Sequence, residues 1–277
     1  MRSDGVLRPS GHNVLMDLGL QDKVCVVTGA SRGIGRATAE RLAAEGARVL
    51  LVARGEDEVR AAAEACGEGA DWIACDVTDP QADAEIVAEA IEQMGGIDVL
   101  VNNAGTSYAR ALDELTDEDW LGQYALHVLA PMRLMRAAAP HMAARGGGRI
   151  VNVASSAGKR PSLMNMAYSV TKAAQLSLSR AFADTYAAQG VLVNAVTPGG
   201  TASELWMDAG GMADQVAASQ GISRDEALAA QRAKIPLGRL AEPGEIADVI
   251  VFLCSARAGA VTGAAWSADG GSVQIII

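Results

Sequence analysis

Short apolar runs alternate with longer alanine-rich segments along most of the chain. The apolar runs are continuous rather than broken by alternate polar residues, as expected for strands buried on both faces of a sheet. They predict strands at residues 23–28, 48–53, 72–76, 98–102, 149–154, 191–196 and 264–268. The longer segments predict helices at residues 35–45, 81–94, 118–144 and 168–188.

This alternation predicts an α/β fold, a doubly wound parallel sheet of Rossmann type with helices on both faces. Neither a repeat nor a low-complexity linker nor a change of composition divides the chain. We therefore expect a single domain at residues 16–277. Residues 1–15 contain the sequence Arg-Pro-Ser-Gly and are expected to form a loose N-terminal tail, with Met16 as an alternative first residue.

Residues 199–236 form a long insertion before the last predicted strand. The insertion combines apolar residues, Leu205 to Met207, with the flexible pair Gly210 and Gly211. In open α/β sheets, substrates bind beyond the carboxyl ends of the strands, where this insertion begins. We predict a helical lid over the substrate. A pair of helices that covers the edge of the sheet is the alternative.

The charge balance excludes one class of partner. With 23 basic and 33 acidic residues, the chain has a formal net charge of −10, and such a surface repels the phosphate backbone of nucleic acids. No apolar run approaches the roughly 18 residues needed to span a membrane. Residues 1–15 lack the pattern of a secretory signal, so we expect a cytoplasmic protein. The cysteines and histidines show no metal-ligand spacing, so we expect no metal site.

A glycine-rich loop follows the first predicted strand and opens an alanine-rich helix. Its glycines are Gly29, Gly33 and Gly35, in the spacing Gly-x-x-x-Gly-x-Gly. Glycine lets a backbone turn tightly and approach a phosphate closely, and the N-terminus of a helix supplies free N–H groups and a positive dipole. The strand–loop–helix context therefore predicts a site for the pyrophosphate of a dinucleotide.

Tyr168 and Lys172 lie four residues apart in a predicted helix, so their side chains share one face. A phenol with a pKa of about 10 is a poor base at neutral pH. A neighbouring ammonium group favours the phenolate and lowers that pKa. The pair is a candidate proton donor and acceptor, although a half-buried Tyr beside a solvated Lys fits the spacing as well.

Several motifs occur together and in a fixed order. They are the glycine loop, the run Asn-Asn-Ala-Gly at 102–105, Ser155 thirteen residues before Tyr168, and the pair Pro-Gly at 198–199. In this combination the chain resembles the short-chain dehydrogenase/reductase family, from about residue 18 to residue 271. The resemblance implies a single-domain oxidoreductase that binds a nicotinamide dinucleotide.

The resemblance also implies which residues meet the cofactor. Asp76 and Val77 would border the adenine, Asn103 and Ala104 would lie along the ribose, and Thr201 and Ser203 would meet the amide or the phosphates. The candidate cofactor-binding residues are Gly29, Ser31, Arg32, Gly33, Ile34, Gly35, Arg54, Asp76, Val77, Asn103, Ala104, Gly105, Tyr168, Lys172, Pro198, Gly199 and Thr201.

The residues at the end of the second predicted strand indicate whether the cofactor carries a 2′-phosphate. NAD-specific folds place an acidic residue there, which binds the 2′-hydroxyl of the ribose. This chain has Arg54 instead, and Arg32 lies in the glycine loop. Guanidinium groups bind phosphate through paired hydrogen bonds. We therefore predict NADP(H), with NAD(H) as the less favoured cofactor.

By the same resemblance, Tyr168 transfers the proton of the alcohol, while Lys172 lowers the pKa of that phenol and hydrogen-bonds the nicotinamide ribose. Ser155 would hydrogen-bond the substrate oxygen. Ser156 competes for this role, but the spacing to Tyr168 and the glycine at position 158 favour Ser155. Charge that develops on the substrate oxygen would be stabilised by Ser155 and neutralised by the proton of Tyr168.

One position departs from the family pattern. An Asn on the long central helix normally completes the proton relay through a water near the Lys, and this chain has His127 there, counting from Trp120. The imidazole can donate or accept a proton directly, or it can be a packed polar residue in an altered relay. Pro131 lacks the N–H that would bond to the His127 carbonyl. That carbonyl is then free to hold the relay water.

These residues predict an NADP(H)-dependent carbonyl reductase or alcohol dehydrogenase that acts on a ketone or a secondary alcohol. Methionine and tryptophan side chains near the cleft, among them Met164, Met166, Trp206 and Met207, favour a small or apolar ketone if they are not ordinary core. A 3-oxoacyl thioester is a second candidate, although Gln189 stands where a basic residue often meets a carrier protein. The alternative function is a catalytically weak NADP-binding protein with an altered relay.

The C-terminal sequence Val-Gln-Ile-Ile-Ile at 273–277 is strongly apolar for a chain end. Such a tail is an exposed adhesive patch unless another subunit buries it. Members of the family are often tetramers built through two long helices and the C-terminal strand region. We therefore predict a homotetramer with this tail at an interface.

Overall fold

The computed structural model of the protein describes residues 16–274. A sheet of seven strands runs through its centre, in the order β3-β2-β1-β4-β5-β6-β7. The strands are β1 (Val24–Thr28), β2 (Arg48–Ala53), β3 (Ala70–Ala74), β4 (Val99–Asn102), β5 (Gly148–Val153), β6 (Val191–Pro198) and β7 (Ala265–Ala268). All neighbouring strands are parallel, and the strand order reverses next to β1. The predicted doubly wound sheet is therefore confirmed.

Helices connect the strands and cover both faces of the sheet. They are α1 (Gly33–Ala44), α2 (Glu56–Cys66), α3 (Ala82–Met94), α4 (Asp117–Tyr124), α5 (Ala130–Ala144), α6 (Met166–Tyr186), α7 (Glu204–Met207), α8 (Met212–Gln220), α9 (Arg224–Ala233) and α10 (Pro243–Cys254). Helices α1, α2 and α10 pack on one face, and α3, α5 and α6 pack on the other.

Successive residues of a central strand enter two different cores. In β1, Cys25 and Val27 contact the core beneath α1, α2 and α10, whereas Val24 and Val26 contact the core beneath α3, α5 and α6. Both faces of the strand are therefore covered by helices. This coverage is the physical reason why the apolar runs in the sequence are continuous.

The two edge strands are more exposed than their apolar runs predict. Strand β3 begins at Ala70 rather than at residue 72, because it pairs with β2 from Val49 opposite Ala70 to Ala53 opposite Ala74. Since β2 ends at Ala53, the pairing ends there, and Asp76 lies in the loop beyond β3. Both β3 and β7 contain exposed positions because each has only one neighbouring strand.

The long helix predicted at 118–144 is interrupted. Helix α4 ends at Tyr124, a π-helical turn occupies Ala125–Leu129, and α5 begins at Ala130. Pro131 lies in the first turn of α5, where its missing N–H removes the α-helical bond to the carbonyl of His127. A wider π-helical turn is one way in which a helix accommodates such a loss.

The insertion at 199–236 folds into the three helices α7, α8 and α9. Apolar side chains from these helices and the segment that follows form a small core of their own, which contains Ala213, Leu228, Ile235 and Leu240. The insertion begins directly after β6, so it stands at the carboxyl edge of the sheet.

Two predictions fall on residues outside the described range. Residues 1–15, expected as a loose tail, and residues 275–277, the end of the apolar C-terminal sequence, are not among those described. The homotetramer also stays a prediction. Within residues 16–274, no helix has both the length and the apolar character needed to cross a bilayer.

Candidate active site

A cleft of about 920 Å³ lies along the carboxyl ends of strands β1 to β6. All of the predicted catalytic and cofactor-binding residues border this cleft except Gly35 and His127. The helices of the insertion form the opposite wall, through residues that include Trp206, Met212 and Val216. The structure thus brings the sequence motifs together in one space.

The glycine loop is packed too tightly for any side chain at Gly35. A Cβ atom there would lie 2.2 Å from the carbonyl oxygen of Gly29 and 2.4 Å from Nδ2 of Asn103. Gly29 and Gly33 have φ angles of 63° and 56°, in the left-handed region that glycine adopts at little cost. Arg32 caps the following helix. The loop therefore forms a close cradle at the N-terminus of α1, which fits a pyrophosphate group.

Asn103 and Thr28 bind the cradle to the neighbouring strand. The Asn103 amide donates to the carbonyl oxygens of Thr28 and Gly29, at 2.9 and 3.1 Å. In return, the Thr28 hydroxyl accepts from the backbone N–H groups of Asn103 and Ala104, both at 3.0 Å. These bonds join the ends of β1 and β4, where the strand order reverses and where dinucleotides bind in such folds.

Charged side chains surround the far end of the cleft, beyond β2. Arg54 follows β2 directly, is 79% exposed, and has its guanidinium 3.9 Å from the carboxylate of Asp76. Arg32 lies 3.8 Å from the carboxylate of Asp208 in the insertion. Sequence reasoning missed Glu58, which also borders this part of the cleft. The carboxylate of Glu58 lies against the Gly55 backbone. Glu58 is a residue of α2, a helix that the sequence pattern did not predict.

Ser155 and Tyr168 come from the end of β5 and the first turn of α6. The Ser155 hydroxyl accepts from the Ala157 N–H at 3.1 Å, so its own proton is left for Tyr168 or for a ligand that takes its place. Ser156 borders the cleft as well. A Cβ atom on Gly158 would lie 2.8 Å from the Lys172 backbone, so only glycine allows this turn to pack against α6.

Lys172 is a buried cation on the same face of α6 as Tyr168. Its Nζ lies 5.6 Å from the centre of the tyrosine ring. The ammonium group donates to the Val153 carbonyl at 2.8 Å and to Oε1 of Gln175 at 3.0 Å, which leaves one of its three donors for a ligand. Burial lowers the pKa of Lys172 to about 7.

The pKa of the Tyr168 phenol is shifted in the direction opposite to the one we expected from the sequence. Burial raises its pKa, and a hydrogen bond with Ser155 opposes that shift only in part. The sequence led us to expect a pKa lowered by Lys172, but burial dominates, and the ammonium group of Lys172 donates its hydrogen bonds to Val153 and Gln175 rather than to the phenol. At neutral pH the phenol is therefore protonated, ready to donate.

His127 is fully buried, and both nitrogens of its ring have partners. Nε2 accepts from the Thr106 N–H at 3.3 Å, and Nδ1 lies 3.2 Å from the Thr171 hydroxyl. Because that hydroxyl donates to the Tyr168 carbonyl at 2.9 Å, Nδ1 carries the proton. Burial, followed by the charge of Lys172, holds the pKa of His127 well below its usual value. The geometry favours a packed, neutral imidazole over a direct proton donor.

The substrate side of the cleft mixes apolar and polar residues. Met164 and Trp206 border it, whereas Met166 and Met207 do not. Sequence reasoning missed three polar residues on this side, Ser107, Gln123 and Asn165. Asn165 directly precedes α6, three residues before Tyr168, and this closeness in the sequence was a signal that could have been used.

A cradle shaped for pyrophosphate and a protonated phenol thus share one cleft. Nicotinamide-dependent oxidoreductases need this arrangement, because a hydride and a proton must reach the same carbonyl group. A family model for short-chain dehydrogenases matches residues 23–213. The chain belongs to the short-chain dehydrogenase/reductase family and is an NAD(P)-dependent oxidoreductase.

Relatives of known activity match nearly the whole chain. The cis-4-hydroxycyclohexanecarboxylate dehydrogenase of Sinomonas cyclohexanicum is 39% identical over 257 residues, which cover 92% of this chain and 98% of that protein. The galactitol 2-dehydrogenase of Agrobacterium fabrum is 36% identical and covers 91% of this chain and 98% of its own. The L-sorbose reductase of Gluconobacter frateurii, solved with NADPH and L-sorbose, has a TM-score of 0.88 and 36% identity. That match covers 94% of this chain and 100% of the reductase.

We expect Gly35→Ala to weaken the binding of a nicotinamide dinucleotide at least about tenfold, or about 1.4 kcal/mol. The added methyl group would displace the Gly29 carbonyl and the Asn103 amide, which together shape the cradle. Gly244→Ala is the matched control, since Gly244 does not border the cleft and its Cβ would meet only the end of the flexible Arg41 side chain, at 3.4 Å. Titration of intrinsic fluorescence with NADPH measures both affinities. An unchanged affinity in Gly35→Ala would contradict the cradle.

The pKa of Lys172 predicts a pH-dependent contribution to stability. The folded protein releases this proton near pH 7, whereas the unfolded chain keeps it to about pH 10. Between these values the unfolded chain binds more protons, so the free energy of unfolding rises with pH.

Relative to Lys172→Met, the wild type should therefore gain about 3 kcal/mol of stability between pH 7 and pH 9.5. Urea unfolding of both proteins at several pH values measures the gain, and Lys234→Met provides an exposed control. If the free energy of unfolding changed equally with pH in the wild type and in Lys172→Met, the result would contradict the shifted pKa of Lys172.

Proposed function

We propose that the protein is an NADP(H)-dependent carbonyl reductase that also runs in reverse as an alcohol dehydrogenase. The observation that carries the proposal is the position of Ser155, Tyr168 and Lys172 in the same cleft as the glycine cradle. A ketone that meets Ser155 and Tyr168 then lies beside the part of the cleft bordered by Gly105 and Pro198.

The chain's own residues divide the work of reduction. A nicotinamide dinucleotide held by the glycine cradle would supply the hydride for the carbonyl carbon. Ser155 donates its free hydroxyl proton as a hydrogen bond to the substrate oxygen, and Tyr168 transfers its phenol proton to the same oxygen. Lys172 uses its remaining N–H donor to hold the cofactor ribose. Its positive charge then stabilises the phenolate that forms on Tyr168.

The phosphate-bearing form of the cofactor is favoured by local charge. Arg54 and Arg32 both border the adenosine end of the cleft, and neither has an ion pair shorter than 3.8 Å among the described residues. Such exposed pairs are weak and easily exchanged for a phosphate partner. The carboxylate of Glu58 repels a 2′-phosphate. The preference for NADP(H) therefore requires that the attraction of the two arginines exceed this repulsion. The NADPH in the similar L-sorbose reductase supports this assignment.

We assign His127 a supporting role in the relay. Its ring joins Thr106, beside the substrate, to Thr171, beneath Tyr168. The relay water is then held by the His127 backbone carbonyl, which Pro131 does not bond. Because a backbone carbonyl holds this water, the enzyme can turn over although His127 replaces the Asn that is usual in the family.

We expect Tyr168→Phe to lower the turnover of ketones by about a hundredfold to ten-thousandfold, the usual contribution of a general acid. NADPH affinity should not change, because the ring keeps its place. A panel of ketones, followed by the loss of NADPH absorbance, tests the function and the variant together. Tyr124→Phe, at an exposed tyrosine on α4, is the control.

Near-normal turnover in Tyr168→Phe would contradict the assigned role. NADPH binding without turnover of any ketone by the wild type would favour the alternative function, a catalytically weak cofactor-binding protein.

We expect Arg54→Ala to weaken NADPH binding at least about tenfold, since a charge-assisted contact to phosphate is worth about 1.5–3 kcal/mol. NADH binding should be unaffected, because NADH lacks the 2′-phosphate. Glu58→Gln should act in the opposite direction and tighten NADPH binding. Arg60→Ala is the control, as this arginine lies on α2 but does not border the cleft. Equal losses for both cofactors, or tighter NADH than NADPH binding by the wild type, would overturn the preference.

A further inference from the structure

Gln123 has a buried side-chain amide that takes no part in the proposed proton transfer. It lies on α4 and is 4% exposed. Its Oε1 has no hydrogen-bond donor among the described residues. Buried polar atoms in folded proteins nearly always have a partner, so an isolated one at the wall of a cleft is a candidate for ligand binding.

The position of Gln123 connects it with the reacting centre. The residue borders the substrate half of the cleft. It also borders an adjoining narrow cavity, together with Tyr168 and Asn165. One helical turn further along the chain, the ring of His127 lies 5.2 Å from the ring of Tyr168. Gln123 and Tyr168 therefore border the same cleft and the same adjoining cavity.

The other polar groups of this wall limit what Gln123 can bind. The Asn165 amide is occupied within the protein, since it donates to the Ser107 hydroxyl at 3.2 Å and accepts from Ser169 at 3.4 Å. Ser107 is 7% exposed and keeps a proton to donate. A ligand hydroxyl, which both donates and accepts, satisfies the Gln123 amide, whereas a methyl group leaves it unpaired.

We propose that Gln123 is a specificity-determining residue that hydrogen-bonds a hydroxyl group on the carbon next to the reacting carbonyl. The substrate class is then α-hydroxy ketones, and vicinal diols in the reverse direction, rather than the apolar ketones expected from the sequence. The inference rests on the proposed function, because it concerns the same site. Gln123 contacts the substrate away from the bonds that change.

Two ketones that differ by one group test the inference. Hydroxyacetone and 2-butanone share the carbonyl, and a hydroxyl in the first replaces a methyl group in the second. We expect the wild type to prefer hydroxyacetone in kcat/KM. Gln123→Met should lower kcat/KM for hydroxyacetone at least about tenfold, or about 1.4 kcal/mol, and leave the value for 2-butanone unchanged. Gln189→Met, at an exposed glutamine, is the matched control.

A structural role for Gln123 predicts a different result. Gln123→Met keeps the length of the side chain and removes an unpaired buried amide, so its melting temperature should equal or exceed that of the wild type. A lower melting temperature with equal losses on both ketones would overturn the inference. Wild-type rates without a hydroxyl preference would also overturn it. Gln123→Asn, which keeps the amide but retracts it, should lose the preference as well.

Binding separates this inference from the proposed function. In the NADP⁺-loaded protein, 1,2-propanediol should raise the melting temperature more than 2-butanol does, and Gln123→Met should abolish the difference. If no ketone is reduced but this difference is found, the proposed function fails, and only the contact of Gln123 with a ligand hydroxyl stands. If ketones are reduced and the diol stabilises no more than the alcohol, the role of Gln123 fails alone.

Discussion

Reciprocal hydrogen bonds between Thr28 and Asn103 hold the two halves of the cleft in register. The ends of β1 and β4 diverge here, because the chain winds outward from this point in both directions. The Thr28 hydroxyl and the Asn103 amide close the gap with four bonds, none longer than 3.1 Å. The cofactor cradle follows β1, and the loop that meets His127 follows β4. The position of the cradle relative to the loop that contacts His127 therefore depends on these bonds.

The second constraint is the burial of Lys172. An ammonium group in a low-dielectric interior costs free energy, and the Val153 carbonyl and the Gln175 amide offset only part of that cost. Burial consequently brings the pKa of Lys172 to about 7, while it raises that of Tyr168 and lowers that of His127. At neutral pH the phenol and the imidazole are uncharged, so Lys172 is the one group of the three that changes charge under these conditions.

The sequence predicted the strands well because each central strand is buried on both faces, and a short continuous apolar run between turn residues is typical of such a strand. It predicted Ser155, Tyr168 and Lys172 from motifs whose order is specific. The sequence did not predict those elements and site residues whose position depends on tertiary packing. No predicted element covered α10, which begins at Pro243, a residue that is common both in turns and in the first turn of helices. Glu58 and Gln123 were missed because the orientations of α2 and α4 bring them to the cleft, and no local pattern shows those orientations.

The elements that carry the chemistry differ from those that recognise the substrate. Ser155 follows β5 by two residues and Lys172 lies on α6, and both elements pack against the main cores of the sheet. The opposite wall belongs to helices α7 to α9, whose own core is small. Residues there can change without disturbing the sheet. This division accounts for relatives that share over a third of their residues with this chain and yet carry the names of different substrates. Under the proposed function, substrate choice therefore depends on this wall and on Gln123 of α4, and not on the phenol itself.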